Sequence, residues 1–517
     1  MLDATIIALY LAVMLGVGFM VSRRGGEDDF FLAGRAMPSW AVSLSVVATA
    51  LSAATFVGVP QLALTGNLSY LATYIGALIA TALIALWFVP ALYREGTLTI
   101  YGMLTRRFGE SVTVAAAVLF LVGRMLSSGA RLFMAAIVFA LMWRGSTHPR
   151  DLVPVLLVIG GSGMVYTMAG GLRAVIWTDA LQFFVMIGGG VLCLVMLQRD
   201  TALPLSDLLS LWRAAPGGSK LTVIDPSLAI QKPYTIWAAA GAMVMVTLAT
   251  HGVDQDMLQR VMAARSAGRG ALALMASTLV TIPVVMLFLL IGLWLYAWFR
   301  VRGIDPATLP DSQNLFPRYV LEQVPRGARG LVLAGLLAAA MSTFDSAINA
   351  MAGCFLADVW RPLRARWRRS LRANDDTPGT EHGLAVPRGL VGLVGVLLTG
   401  FAVLAVFMHE SSRSTLIDFA LGVMAFAHAP LLGVFLAALF TRRGTAVSAL
   451  LAMAIGVLGV LLLQPWLFEP LFGFRIAWPW WWVIVSPVVF LLTILPAGEG
   501  EKVQVSGSCS ADSAAVS

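Results

Sequence analysis

Charge is what this chain of 517 residues most lacks: Asp, Glu, Lys and Arg together make up 12% of it, against about a quarter in ordinary soluble domains. With 59% apolar residues and a mean hydropathy of +0.85, there is too little polar side chain to coat a soluble particle, and the solvent for the fold is expected to be lipid. Cysteine is scarce too. Cys193 and Cys354 fall in apolar runs and Cys509 near the C-terminus, so no disulfide framework is implied. The five histidines are scattered without metal-ligand spacing. No GxxxxGK[ST] loop occurs, which argues against ATP as an energy source. The longest loops, about 198–235 and 299–329, are shorter than an ordinary soluble domain. Covalent catalysis finds no support, and an enzyme is not expected. Lysine occurs only at 220, 232 and 502, an Arg-for-Lys bias that suggests a GC-rich bacterial source.

What the chain has is length of apolar run. About 13 segments approach or exceed the roughly 20 residues that a 30 Å hydrocarbon core requires: 3–21, 39–66, 68–93, 113–142, 152–169, 174–197, 236–256, 271–298, 330–358, 387–408, 414–440, 445–466 and 479–496. An all-α polytopic membrane protein is predicted, with a membrane domain over 1–496 and a disordered Ser- and Ala-rich cytoplasmic tail over 497–517. The first run starts with Asp3 instead of a basic cluster and has no small-residue cleavage site before Arg23, so it reads as a retained helix. Lys and Arg favour the side holding Arg23, Arg24, Arg106, Arg107, Arg442 and Arg443, which places the N-terminus outside and the C-terminus in the cytoplasm. The six arginines of 361–372 lie on that inner side and read as a topology and headgroup anchor, not as a nucleic-acid site.

Against this background the polar residues inside the runs stand out. Asp179 lies in the sixth run, where a carboxylate at a helix centre costs roughly 2.5 to 3.5 kcal/mol unless it finds a cation, a polar partner or water. In the ninth, Ala339, Ser342, Thr343 and Ser346 share one helical face, and Asp345 and Asn349 adjoin it. The second run carries Ser43, Ser45, Thr49, Ser52, Thr55, Gly58 and Pro60, a segment able to unwind near the midplane and free the carbonyls of Ala48 and Leu51. The seventh is polar about five runs later, with Thr247, Thr250, His251 and Gly252 before Asp254 and Gln255. Paired interrupted helices in two halves of a chain point to an inverted-repeat transporter. Carbonyls, hydroxyls and carboxylates suit a hard cation such as sodium.

At these residues the chain resembles the sodium:solute symporter family, the carriers of sugars, proline, pantothenate and sialic acid. The supports are the Phe30–Arg35 segment, Ser52 to Gly58, the Gly170 to Gln182 block, Asp254-Gln255 with Gln259-Arg260, and Ala339 to Ser346. The resemblance implies a LeuT-like fold of two inverted five-helix repeats, about 39–197 and 236–440. It implies a sodium site made by the carbonyls of Ala48, Leu51 and Ala339 with the hydroxyls of Ser342 and Thr343. A second sodium site, found in some members, would fall on Asp179, Ser342, Asp345 and Ser346, with Asp345 standing where relatives often have serine or alanine.

Through Gly123-Arg124, Arg124 resembles the carboxylate-binding arginine of sialic acid carriers, and a guanidinium suits bidentate recognition. The alternative is an arginine paired with a protein carboxylate. Arg131, seven residues on, carries the same two readings. Ser52, Thr55, Tyr70 and Tyr74 map to the region where relatives hold their solutes, or are normal helix packing. Thr250 and His251 stand where sugar carriers of the family place an aromatic gate, which argues against a closely sugar-like pocket. His251 and His428 read as satisfied polar residues before proton relays.

The expectation is a secondary active transporter of the inner membrane that couples Na+ to a small polar, carboxylate-bearing solute by alternating access. A proton-coupled carrier on the same scaffold and a membrane sensor are the rivals. The expected partners are the solute, sodium and the bilayer, with no nucleic acid and no obligate protein partner.

Overall fold

The computed structural model describes residues 1–22, 26–309, 314–371, 384–408 and 416–495. Arg23, Arg24, Arg372, Cys509 and the 497–517 tail lie outside them, so the readings placed on those residues have no structural counterpart here. Among the described residues the regular elements are all helices, with an isolated β-bridge between Met37 and Ala264.

The expected runs each meet a helix. In chain order these are α1 (Leu2–Val21), the short α2 (Glu27–Leu32), α3 (Ser39–Ala50), α4 (Ala53–Thr65), α5 (Ser69–Glu95), α6 (Gly102–Phe108), α7 (Glu110–Arg144), α8 (Pro149–Thr201) and α9 (Leu205–Arg213). There follow α10 (Ala238–Gly252), α11 (Gln255–Met262), α12 (Ala267–Val301), α13 (Leu315–Gln323) and α14 (Ala328–Trp367). The last are α15 (Ala385–Met408), α16 (Leu416–Phe440), α17 (Ala446–Leu462), α18 (Pro465–Phe472) and α19 (Trp478–Ile494). By length and apolarity, 8 helices qualify as spans among the described residues, and up to 10 if each bent pair is one span. This differs from the expected thirteen partly because α8 holds two of the expected runs and because α10 and α19 are shorter apolar helices.

α8 has 53 residues, about 80 Å if straight and far more than the bilayer core. It is interrupted at Gly171, where φ 56 and ψ −150 are open to glycine alone, and a Cβ there would collide with the Phe30 carbonyl. Gln182 Nε2 reaches the Tyr166 hydroxyl at 3.4 Å. Those residues would stand about 24 Å apart along a straight helix, so the two arms of α8 fold against each other as a hairpin hinged at Gly171.

The polar second run breaks beside the carbonyls expected to be freed, with Leu51 and Ser52 both extended between α3 and α4, which meet at 64°. Pro60 stays inside α4. A matching interruption separates α10 from α11. Asp254 is extended there and caps α11 by accepting the amide of Asp256 at 2.9 Å. The centre of the bundle is α14, buried from Val332 to Cys354, and its widest contact is with α8. The first helix packs on both. Its Asp3 accepts the backbone N–H groups of Gly327 and Gly330 at 2.6 and 3.0 Å and pairs with Arg329 at 2.8 Å, anchoring the entry of α14.

Candidate sodium and solute site

The hydroxyl face of α14 lies against the broken end of α3. Ser342 Oγ donates to the Ala48 carbonyl at 2.8 Å and lies 3.3 Å from the carbonyl of Ala339. Thr343 Oγ1 is 3.2 Å from the same Ala339 carbonyl and 3.5 Å from that of Thr49. Four of the five expected ligand groups therefore converge, while Leu51 marks the break itself through its extended backbone. All five residues are nearly inaccessible to solvent. Among the described residues no group of three or more His, Cys, Asp or Glu could hold a metal ion. The oxygens on offer are carbonyls and hydroxyls, a hard donor set that fits sodium.

Ser346 lies one helical turn beyond Ser342, with Asp345 next to it and Asp179 facing them from α8. Ser45 Oγ donates to Asp179 Oδ2 at 2.5 Å. Asp179 Oδ1 is buried with no hydrogen-bond partner, which leaves one carboxylate oxygen for an ion. Ser346 Oγ sits 3.2 Å from Asp345 Oδ1 and 3.1 Å from Thr49 Oγ1, and Tyr166 donates to Asp345 Oδ2. Both polar atoms of Asn349 are buried without a partner.

The cation that reaches this group from the protein itself is Arg260, quoted in the sequence only as part of a motif. Its guanidinium pairs with Asp256 at 2.7 Å and Asp179 at 3.4 Å, donates to Ser45 Oγ at 2.9 Å, and contacts Ser346 Oγ. Arg124 is fully buried: Nη1 meets Asp254 at 2.9 Å and Nη2 meets Asp256. His428 Nε2 adds a contact to Asp254 at 3.1 Å, and its Nδ1 faces the Met424 carbonyl. Two arginines and three aspartates thus tie α7, α8 and the α10–α11 break into one buried network, with α3 joined through Ser45 and α16 through His428.

This bears on the expected solute residues. Arg124 adopts the paired alternative. Both terminal nitrogens meet protein carboxylates, and Asp254 comes to it from a segment 130 residues away in sequence. Arg131 lies beside Met424 Sδ at 2.7 Å. Ser52 begins α4 at the break. Tyr70 and Tyr74 meet edge to face at 6.4 Å, and Tyr70 meets Tyr234 at 5.3 Å. Thr250 Oγ1 bonds back to the Val246 carbonyl at 2.9 Å and lies 3.0 Å from His251 Nδ1. The partners missed in the sequence were Asp256, Arg260 and Tyr166. A signal existed for two of them, since Asp256 and Arg260 stand four apart, the spacing of a helical ion pair.

The profile of the sodium:solute symporter family matches residues 30–456. The sodium/sialic acid symporter of Aliivibrio fischeri is 28% identical over 473 residues, covering 87% of this chain and 85% of that protein. The human sodium/iodide cotransporter is 28% identical over 449 residues, covering 85% of this chain and 66% of that longer protein. A solved sodium-coupled sialic acid symporter in a substrate-bound outward-open state superposes with a TM-score of 0.80 at 23% identity, covering 96% of this chain and 97% of that one. The fold is LeuT-like. With hydroxyls and carbonyls gathered at a helix break, and with that match over most of its length, the chain belongs to the sodium:solute symporter family and is a multi-pass, sodium-coupled carrier of a small solute.

Proposed function

We propose that the solute carries a carboxylate and that one sodium ion binds between α3 and α14, at the carbonyls of Ala48, Leu51 and Ala339 and the hydroxyls of Ser342 and Thr343. The observation that carries the sodium assignment is the 2.8 Å contact of Ser342 Oγ with the Ala48 carbonyl, because it joins two helices through oxygens suited to a hard cation. Support for the carboxylate comes from relatives that carry sialic acid and monocarboxylates. The solute sits beside the α3–α4 break, met by the hydroxyl, ring and imidazole groups of Ser52, Thr55, Tyr70, Tyr74, Thr250 and His251. Arg124 and Arg260 are positioning residues that hold the α10–α11 break beneath it. A second ion at Asp179, Ser342, Asp345 and Ser346 would share this region with the Arg260 guanidinium.

In this reading sodium draws α14 to α3, the α3–α4 break takes its solute-binding shape, and the loaded carrier turns round. An ion can drive that change only through its different affinity for the two states. The two repeats cover about 39–197 and 236–440, thirteen helices cross a bacterial inner membrane, and the N-terminus faces outward. The test is uptake into proteoliposomes holding the purified full chain, with an inward sodium gradient and no pH gradient. The panel pairs carboxylic acids with neutral sugars. Sodium-dependent uptake of an acid is expected. Uptake of neutral solutes alone would overturn the carboxylate, and uptake indifferent to sodium would overturn the ion site.

A further inference from the structure

We propose that the cleft between α1, the end of α7 and the start of α8 binds one anionic glycerophospholipid, with its phosphate on Arg150 and Arg144 and an acyl chain pointing toward Leu337. The cleft has a volume of about 250 Å³, below the roughly 300–1,000 Å³ of pockets that enclose a drug-sized ligand, which suits a length of chain more than a whole polar solute. Its wall is apolar, and its polar groups, Arg144, Arg150 and Asp151, all come from the α7–α8 turn. At the protein surface Val158 is 47% exposed, whereas Ala140 and Leu337 are each 2% exposed. The cleft therefore opens on the bilayer face and closes on α14.

The charge at the mouth is unbalanced. Asp151 is already served by Arg144 at 3.0 Å and by the Ser146 hydroxyl at 2.8 Å. Arg150 approaches it only to 3.8 Å, with 83% of its side chain exposed. Two guanidinium groups share one carboxylate where α7 ends, next to Trp143, an aromatic suited to headgroup depth. A phosphodiester accepts the spare guanidinium in the bidentate geometry arginine favours. A zwitterionic lipid brings its own cation and gains less, and a free phosphate lacks the chain that fills the apolar wall. Leu337 belongs to the turn of α14 that carries Ala339, so the lipid touches the helix of the sodium face.

The test is native mass spectrometry of the full chain offered phosphatidylglycerol, phosphatidylcholine or glycerol phosphate. One retained phosphatidylglycerol is expected, reduced at least fivefold both by Arg150→Gln, a change at a solvated side chain, and by Val155→Trp, which fills the cleft without altering charge. A sodium-induced thermal shift retained in both variants shows that they are folded. Equal retention in the Arg150→Gln variant, retention of phosphatidylcholine as strongly as phosphatidylglycerol, or binding of glycerol phosphate alone would each overturn the proposal.

Discussion

The guanidinium of Arg260 reaches Asp179 at 3.4 Å across 81 residues of sequence, and on its other side holds Asp256 at 2.7 Å. Because all three side chains are fully buried, removing the cation leaves two carboxylates without their shared partner. Such a loss costs about 3–5 kcal/mol where a buried pair is broken.

Arg260→Ala is therefore expected to lower the thermal midpoint of the purified protein steeply, and Arg260→Lys to recover part of the loss. A double-mutant cycle between Arg260 and Asp256, read by thermal unfolding, should give a coupling energy above about 1 kcal/mol. Additive effects would place the two residues in separate environments.

Ser342→Ala and Thr343→Ala each delete one hydroxyl from the α14 face. Both should raise the sodium concentration for half-maximal uptake severalfold, while changing stability by no more than about 1 kcal/mol, the net worth of an ordinary hydrogen bond. Uptake titrated with sodium for wild type and both variants decides this, and unchanged sodium dependence in both would remove the site from α14.

Asp345 accepts from Tyr166 and from Ser346, and no salt bridge to it is found among the described residues. If it helps to hold a second ion, Asp345→Ala should change the number of sodium ions moved per solute, measured as the reversal potential of uptake in proteoliposomes. Tyr166→Phe should keep the stoichiometry and shift only the affinity. An unaltered ion count in a folded Asp345→Ala protein would leave a single sodium.

Lys220, in the segment between α9 and α10, donates to the Leu64 carbonyl at 2.7 Å near the end of α4 and lies 4.6 Å from the centre of the Tyr296 ring. Burial pushes its ammonium down to about 8 from 10.5, against an opposing pull from Asp305. Between pH 8 and 10.5 the unfolded chain keeps a proton that the folded one has lost, so this group adds stability as pH rises through that window. Thermal midpoints from pH 7 to 10 should rise in wild type relative to Lys220→Met, and parallel curves would show that the amine is solvated.

Much of the frame was legible because helix length and apolarity are local properties. The oxygen-bearing face of Ser342 and Thr343 was legible for the same reason, since offsets of three and four fix a face. The break was legible too, since it falls at Leu51–Ser52 beside the carbonyls expected to be freed, while Pro60 is absorbed within α4. The ion-pair network was not legible. Arg124 and Asp254 lie 130 positions apart, and nothing in one sequence says which buried acid meets which buried base. The requirement that each find a partner was readable, and it left Arg124 open between a solute carboxylate and a protein one.

Because a single glycine carries the reversal of α8, the site is assembled by counting outward from Gly171. Tyr166 on one arm reaches Asp345, and Asp179 on the other reaches Ser45 and Arg260. One residue inserted between the hinge and either side chain would turn that side chain by about 100° around its helix and carry it out of the cluster. The spacing from Tyr166 to Asp179 thus works as a ruler whose length is fixed in whole residues. Drift in chain length is barred here, in the middle of a membrane helix that composition alone would pass as filler.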